Sequence, residues 1–143
     1  VRIKSGKQKT LYLGNLDAKR DWGHAKDYVV AMWKILQQKK PEDFVIATGK
    51  QYSIRQFISL VSKKINIKII WKGKGLKEKG YDSISRKPII AIDKNYIRPL
   101  DVNTLLGNAA KARIKLSWKP KINIHKLIDE MIAEEENILE NDQ

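Results

Sequence analysis

The stretch Gly14–Ala25, which reads GNLDAKRDWGHA, places a polar loop directly before a helix. Within it, Arg20 and Asp21 precede the helix N-terminus, where free backbone N–H groups favour anions. The residues that follow, up to Gln38, are apolar at helical spacing on one broad face, at Ala25, Tyr28, Val29, Met32, Trp33, Ile35 and Leu36. We therefore predict an amphipathic helix from His24 to Gln38 that begins beside an anion-attracting loop.

Outward from this stretch, short strands alternate with helices. The pattern predicts strands at 43–47, 67–71 and 89–92 and helices at 54–64, 109–116 and 124–139. Ser53, with Gln56 three residues later, forms a capping-box pattern, and Asn108 can cap the short helix that follows it. Residues 72–88 contain three glycines and many charges, and we expect a long, exposed, flexible loop there. These elements, without an internal repeat, indicate an α/β fold.

The charge of the chain is unevenly distributed. Lys and Arg number 29 against 16 Asp and Glu, a formal net charge of +13. The segment 126–143 has one basic and seven acidic residues, so the first 125 residues hold 28 basic against nine acidic groups, a net +19. Such a balance attracts polyanions, which leaves a basic nucleic-acid-binding module as one hypothesis. We favour solvated lysines that mainly confer solubility, because they are scattered and no zinc-finger, RNP or GXXG pattern accompanies them.

The composition excludes several kinds of site. The chain has no cysteine, which removes disulfides, thiolate zinc sites and cysteine nucleophiles. Its two histidines, His24 and His125, have no second ligand at metal spacing. No apolar run approaches the roughly 20 residues of a membrane span, and no signal peptide opens the chain. We expect a cytoplasmic protein, without membrane attachment and without metal ligands among these residues.

A second polar cluster, Tyr96–Asp101, reads YIRPLD. Pro99 fixes the backbone after Arg98, and Asp101 follows within one turn. An arginine that binds phosphate oxygens, with a carboxylate that accepts ribose hydroxyls, would form a grip on a nucleotide diphosphate. An Arg–Asp pair in a loop is also a common structural salt bridge, and both interpretations stay open at this point. No G-x-G-x-x-G turn or P-loop is present, so any phosphate binding does not use a glycine-rich cradle of this chain.

Several strings, in order and at matching spacing, resemble the C-terminal part of the GDP-mannose 4,6-dehydratase family of extended short-chain dehydrogenase/reductases. They are GNLDAKRDWGHAKDYVVAMW, PEDFVIATG, IDKNYIRPLDV, LLGNAAKARIKLSWKP and the final KLIDEM helix. The resemblance covers essentially all 143 residues. The longer GNLDAKRDWGHA string separates this family from relatives that act on other sugar nucleotides. The resemblance implies an α/β fold in which residues 1–143 form the C-terminal, sugar-nucleotide-binding region, with the Rossmann half absent.

The resemblance also implies roles for residues of both clusters. Arg20 and Arg98 fall on the two arginines that contact the nucleotide diphosphate, and Asp101 falls on the acidic residue that holds the ribose. Asn15 belongs to the same loop as Arg20 and joins the substrate-binding set. Lys4 falls in the tail of a helix that lines the nucleotide in the family. No catalytic, cofactor-binding or metal-binding residue is assigned.

The sequence departs from the family pattern at three positions. Asp101 stands where the family usually has Glu, although related sugar-nucleotide epimerases use Asp there. Asn103 and Asn108 each stand where Asp is usual, which bears on secondary contacts and capping, though Asn caps helices about as well as Asp. Another sugar-nucleotide dehydratase or epimerase therefore remains the alternative within the enzyme class.

The chemistry that the resemblance implies requires residues that this chain does not have. In the family, NADP oxidises C4 of the mannosyl unit, water is lost across C5–C6, and the hydride returns to C6, which yields GDP-4-dehydro-6-deoxymannose for GDP-fucose biosynthesis. A Thr or Ser, a Glu and a Tyr-x-x-x-Lys pair act in the N-terminal Rossmann half, which also binds NADP. No tyrosine of this chain has a lysine four positions later. We expect residues 1–143 to supply GDP-sugar binding only and to be inactive alone, with GDP-mannose, the missing Rossmann half and a homodimer or homotetramer of the intact enzyme as partners.

Overall fold

The computed structural model describes residues 1–98, residue 100 and residues 102–141. These residues form short strands and α-helices, as the α/β prediction requires. The strands are β1 (Leu11–Leu13), β2 (Lys19–Asp21), β3 (Gln51–Ser53), β4 (Ile69–Lys72), β5 (Lys79–Asp82) and β6 (Pro88–Ile92). The helices are α1 (Ala25–Leu36), α2 (Ile54–Lys64), α3 (Ala110–Lys115) and α4 (Ile124–Asn141).

The strands form two small sheets. The larger sheet has the order β1-β6-β5-β4, with β1 parallel to β6 and the other two pairs antiparallel. The smaller sheet pairs β2 with β3 in antiparallel register, Arg20 opposite Tyr52. A parallel bridge between Lys19 and Thr104 adds a third segment beside β2. This bridge brings the chain just after the second polar cluster alongside the first.

The molecule has two apolar cores. One core packs α2 against the larger sheet and buries Leu16, Ile58, Ile89 and Ile90. The other lies between α1, α3 and the segment 44–47, and buries Ala31, Ala47, Ala109, Ala112, Leu116 and Trp118. The short sheet of β2 and β3 links the two cores, because β2 leads into α1 and β3 leads into α2.

The capping-box prediction for α2 is confirmed. The Ser53 hydroxyl accepts the backbone N–H of Gln56 at 3.1 Å, and the Gln56 side-chain oxygen accepts the backbone N–H of Ser53 at 2.8 Å. The two bonds satisfy donors that the first turn of a helix leaves unpaired. The N-cap of α3 is Ala109 and not Asn108 as predicted, although the Asn108 side chain, one residue earlier, accepts the backbone N–H of Ala110 at 3.0 Å.

The strand predicted at 43–47 is wrong. No strand is assigned to this segment in the described part of the chain, and Val45 is 53% exposed. Ala47 is instead buried in the core that α1 and α3 share, and Phe44 and Ile46 pack against that core. The Lys111 ammonium on α3 also contacts the Asp43 carbonyl oxygen at 2.8 Å and lies 4.8 Å from the Phe44 ring centroid. An apolar run indicates that a segment is buried. Here the segment is buried by packing against helices and not by pairing as a strand.

The long loop predicted over residues 72–88 is also wrong for the middle of that segment. A 3-10 turn at Gly75–Lys77 leads into strand β5, which is the centre of the larger sheet's antiparallel part. β5 pairs with β4 on one side and β6 on the other. Backbone pairing with two neighbours thus orders a segment whose own composition is charged and glycine-rich.

Helix α1 is apolar on two faces and not on the single face that its spacing suggested. Its inner face buries Ala31 and packs Tyr28 and Ile35 against the core. Four residues at i, i+3, i+4 and i+7 form a second stripe that is 60–80% exposed. This outer stripe of α1 consists of Val29, Met32, Trp33 and Leu36. A stripe of that size on one helix face is typical of an interaction surface.

A buried carboxylate joins α1 to the chain that precedes α4. Asp27 is 6% exposed, and its Oδ2 accepts the backbone N–H groups of Lys121 at 2.9 Å and Ile122 at 2.8 Å. Its carbonyl oxygen accepts the indole N–H of Trp118 at 2.9 Å. The three bonds satisfy the buried polar groups of Asp27 and fix the path of residues 118–122 across the first turn of α1.

Helix α4 extends from Ile124 to Asn141 and packs beside α2. Asn123 caps it by accepting the backbone N–H groups of His125 and Lys126. Over the residues that the structure describes, α4 and the other helices are too short or too polar to cross a membrane.

Candidate functional site

The two polar clusters of the sequence meet at Gly14. A Cβ atom at this position would lie 2.2 Å from the carbonyl oxygen of Tyr96 and 3.3 Å from the backbone nitrogen of Ile97. These are backbone atoms, which cannot rotate away as a flexible side chain could. A glycine is therefore required here, because it lets the loop after β1 touch the segment after β6.

A cavity of about 200 Å³ opens beside this contact. Two arginines from distant parts of the sequence line it together with an amide, an aromatic ring and small or apolar side chains. The lining residues are Leu13, Gly14, Asn15, Ala18, Arg20, Ile54, Tyr96 and Arg98. No carboxylate of the described residues lines the cavity, so its walls favour an anionic ligand.

Arg20 lies at the cavity in a fixed orientation. It is the central residue of β2 and is partly buried. Its Nη1 donates to the carbonyl oxygens of Lys19 at 2.8 Å and Val102 at 2.6 Å. These bonds join β2 to the segment after the second cluster, so Arg20 both lines the cavity and stabilises its wall.

Arg98 differs from Arg20 in its surroundings. Its side chain is exposed, and within residues 1–98, 100 and 102–141 the guanidinium group has no hydrogen-bond or ion-pair partner. Arg98 lines the cavity, and the planar geometry of a guanidinium group matches two phosphate oxygens. Asp101, the predicted ribose ligand, lies outside the described residues.

The other two predicted ligands have different outcomes. Asn15 lines the cavity, and its side-chain oxygen accepts the backbone N–H of Asp17 at 3.0 Å, which leaves the amide N–H₂ group as its donor. Lys4 lines a separate groove of about 710 Å³, beside Lys9 and Lys87. The structure therefore brings Arg20, Arg98 and Asn15 together but does not bring Lys4 to them.

The remaining polar residues of the first cluster stabilise the fold. The Asp21 carboxylate accepts the backbone N–H groups of Thr48 at 2.9 Å and Gly49 at 2.8 Å. Trp22 stacks on Phe57 with ring centroids 4.4 Å apart. The His24 Nδ1 accepts a backbone N–H at the start of α1. Trp22 and His24 therefore make contacts within the fold and do not line the cavity.

Sequence reasoning did not assign a role to Gly14 or to Tyr96, although both border the cavity. The available signal was the glycine that ends the apolar run of β1, because glycine at such a position indicates a close approach of two backbones. Over the described ranges, no three His, Cys, Asp or Glu side chains are grouped as a metal site would need. The size and positive lining of the cavity suit an anion, and none of its described lining residues is a His, Asp, Glu or Lys.

Comparison with known proteins gives a consistent result. The model of the family described as GDP-mannose 4,6 dehydratase matches residues 1–131. The GDP-mannose 4,6 dehydratase of Dictyostelium discoideum is 49% identical over 139 residues, which cover 97% of this chain and 39% of that protein.

Two solved structures share the fold. The UDP-glucose 4-epimerase of Thermotoga maritima, solved with UDP-glucose, matches 96% of this chain and 38% of its own length, with a TM-score of 0.71 and 19% identity. RMD from Pseudomonas aeruginosa, complexed with NADPH, matches 89% of this chain and 36% of its own, with a TM-score of 0.64 and 21% identity. At these identities the likeness is one of fold alone. The chain spans less than two-fifths of the length of each of these three proteins.

Proposed function

The chain belongs to the GDP-mannose 4,6-dehydratase family, and on that premise we propose that it forms the GDP-sugar-binding part of an enzyme that converts GDP-mannose to GDP-4-dehydro-6-deoxymannose. The observation that carries this proposal is the cavity in which Arg20 and Arg98 meet. Two positive charges at one small opening are suited to the two negative charges of a nucleotide diphosphate. Binding energy from this remote group would hold the sugar for chemistry performed elsewhere.

The residues of the cavity then have distinct roles. Arg98 binds the diphosphate through its guanidinium N–H groups, and Arg20 contributes charge from a position held by Val102. Asn15 offers its amide N–H₂ group to a ligand oxygen. Asp101, by the resemblance of its motif, accepts the ribose hydroxyls.

The NADP that this reaction uses would be bound outside residues 1–143. The sequence has no G-x-G-x-x-G turn and no Tyr-x-x-x-Lys pair, so the residues present do not fit the cofactor and we derive no step through it. The fold relative RMD is complexed with NADPH, and only 36% of its chain corresponds to the present one. This supports placing the cofactor in the other part of the enzyme, which we propose to be dimeric or tetrameric.

The outer stripe of α1 supports the same division of the enzyme. Met32, Trp33 and Leu36 are 60%, 60% and 80% exposed. In an intact enzyme we propose that this surface packs against the Rossmann half, because exposed apolar area of this kind is otherwise costly in water.

The isolated 143-residue chain is accordingly expected to self-associate. Analytical ultracentrifugation should show a mean mass that rises with protein concentration, and Trp33→Gln with Leu36→Gln should reduce this effect. Ile84→Gln is the matched control, since Ile84 is 86% exposed but lies singly in a turn. A chain that stays monomeric, with a thermal transition independent of concentration, would contradict the interface proposal.

Arg98→Ala tests the proposed site. In the complete gene product, the change should weaken GDP binding by about 10- to 150-fold, because a hydrogen-bonded charge is worth about 1.5–3 kcal/mol. Isothermal titration calorimetry with GDP measures the effect. Arg20→Ala should also weaken binding, although it removes the bond to Val102 as well.

Arg113→Ala is the matched control, because it removes the same charge from an exposed position on α3. Its GDP affinity should stay within about twofold of the wild type, since an exposed distant charge is largely screened. Titration with UDP and dTDP separates the GDP-sugar proposal from another sugar-nucleotide dehydratase or epimerase, which Asp101 alone favours. Unchanged GDP affinity in both arginine variants would overturn the site.

A further inference from the structure

One arginine outside the cavity, Arg55, forms hydrogen bonds to carboxylates from both edges of its guanidinium group. Arg55, in the first turn of α2, donates from Nε to Asp17 Oδ1 at 3.0 Å and from Nη2 to Oδ2 at 3.3 Å. It also donates from Nη1 and Nη2 to the Glu78 carboxylate, at 2.7 Å and 3.1 Å. Its guanidinium carbon lies 4.9 Å from the ring centroid of Trp71. We call these four residues the Arg55 network.

The two carboxylates of the network differ in burial. The Glu78 side chain is 16% exposed and that of Arg55 is 28% exposed, whereas that of Asp17 is 75% exposed. Trp71 belongs to the ordered hairpin of the larger sheet and Glu78 directly precedes β5, so both immobilise the guanidinium group. Its remaining edge is thereby presented to Asp17, which lies in the loop between β1 and β2.

The same loop forms one wall of the cavity. The backbone N–H of Arg55 donates to Leu16 O at 2.9 Å. The Asp17 backbone N–H donates to the side-chain oxygen of Asn15. Asn15 and Ala18 both line the cavity. Arg55 therefore restrains, through Asp17, the loop whose other side faces the ligand.

We infer that Arg55 is a positioning residue that holds residues 15–18 in the conformation that binds GDP. The inference rests on the proposed function of the cavity. A loop already fixed in its bound conformation loses less conformational entropy when the ligand binds, and it therefore binds more tightly. Arg55 touches no ligand and acts through Asp17 and Asn15.

The ionisation of Asp17 agrees with this role. The hydrogen bond from Arg55 lowers the pKa of the Asp17 carboxyl below its usual value. When the pKa of a carboxyl is lower in the folded state than in the unfolded state, its ion pair contributes fully at pH values above the unfolded-state pKa. This contribution is lost as the pH falls through the folded-state pKa. The pair is therefore intact across neutral pH.

Asp17→Asn and Glu78→Gln test the inference as a matched pair, since each removes one carboxylate charge from the same guanidinium group. In the complete gene product, Asp17→Asn should weaken GDP binding about three- to tenfold with little change in the melting temperature, because exposed ion pairs add little stability. Glu78→Gln should lower the melting temperature but weaken GDP binding less than Asp17→Asn does, because the Gln side-chain oxygen still accepts a hydrogen bond from Arg55 and the Asp17 pair remains. Calorimetric GDP titration well below the melting temperature, with a thermal scan of each variant, gives both quantities.

The direction of the Asp17→Asn effect separates positioning from simple electrostatics. Removing a negative charge near an anion site would by itself strengthen GDP binding, so weaker binding supports a loss of loop order. Arg55→Lys should reproduce the loss, because an ammonium group cannot bind two carboxylates in parallel.

Two results would overturn the positioning role. One is an unchanged or tighter GDP affinity in Asp17→Asn when Arg98→Ala weakens binding, which leaves the proposed function intact. The other is a loss of affinity that follows the melting temperature across all three variants, which would make the network merely structural. If Arg98→Ala also leaves GDP binding unchanged, the proposed function fails together with the inference.

Discussion

Asp27→Ala is expected to lower the free energy of unfolding by about 2–4 kcal/mol, the largest stability effect that we predict for a single side chain. The change removes the acceptor of two backbone N–H groups, those of Lys121 and Ile122, at 2.9 Å and 2.8 Å. These donors would be left without a protein partner next to a buried side chain. Urea denaturation at low protein concentration, followed by tryptophan fluorescence, measures the change because Trp118 lies in the same core.

Asp27→Asn and Asp129→Asn complete this experiment. Asn at position 27 keeps one oxygen acceptor, so its cost should be intermediate. Asp129 lies on the exposed side of α4 and pairs with Lys64, and its loss should cost no more than about 1 kcal/mol. Equal costs for the changes at positions 27 and 129 would show that the buried carboxylate does not fix residues 118–122.

Gly14→Ala should weaken ligand binding about as strongly as the loss of the Arg98 side chain. The added Cβ would lie 2.2 Å from the carbonyl oxygen and 2.8 Å from the carbonyl carbon of Tyr96. The segment of Tyr96 and Arg98 must then move away from the β1–β2 loop, which separates the two arginines of the cavity. We expect GDP affinity of the complete gene product to fall roughly 10- to 100-fold, as expected when binding groups are displaced by about an ångström.

Gly6→Ala is the control for the added methyl group. Gly6 has a φ of +77°, and a Cβ added there would meet no atom within 4 Å, so the change introduces backbone strain without a clash. It should cost about 1–2 kcal/mol of stability and leave GDP binding as it is. Wild-type GDP affinity in Gly14→Ala would show that the approach of the two loops does not shape the site.

Local patterns predicted the helices well, and pairing between distant segments was harder to predict. The capping box of Ser53 and Gln56 requires only residues three apart, so the start of α2 was predictable. Strand β5 is formed by pairing with β4 and β6, and its own charged, glycine-containing sequence gives little sign of it. At 43–47 a strand was predicted where none forms, because an apolar run that packs between helices has the same sequence pattern as a buried strand.

The candidate site shows the same limit. Arg20 and Arg98 were predicted from their motifs, and the structure places both at one cavity. Arg55 was not predicted, because its partners Asp17 and Glu78 lie far from it along the chain and belong to no motif. A residue that acts by positioning other residues can be identified only once the fold shows which residues it contacts.

Both cores are completed by segments that lie far along the chain, and this determines when the protein can fold. β1 needs β6 as its parallel partner, and this contact joins residues 11–13 to residues 90–92. Asp27 likewise obtains its partners only once Ile122 is present. During synthesis from the N-terminus, neither core can close until most of the chain has been made. Folding is therefore governed by contacts of long sequence separation, which form slowly and leave the early helices exposed to other chains in the meantime.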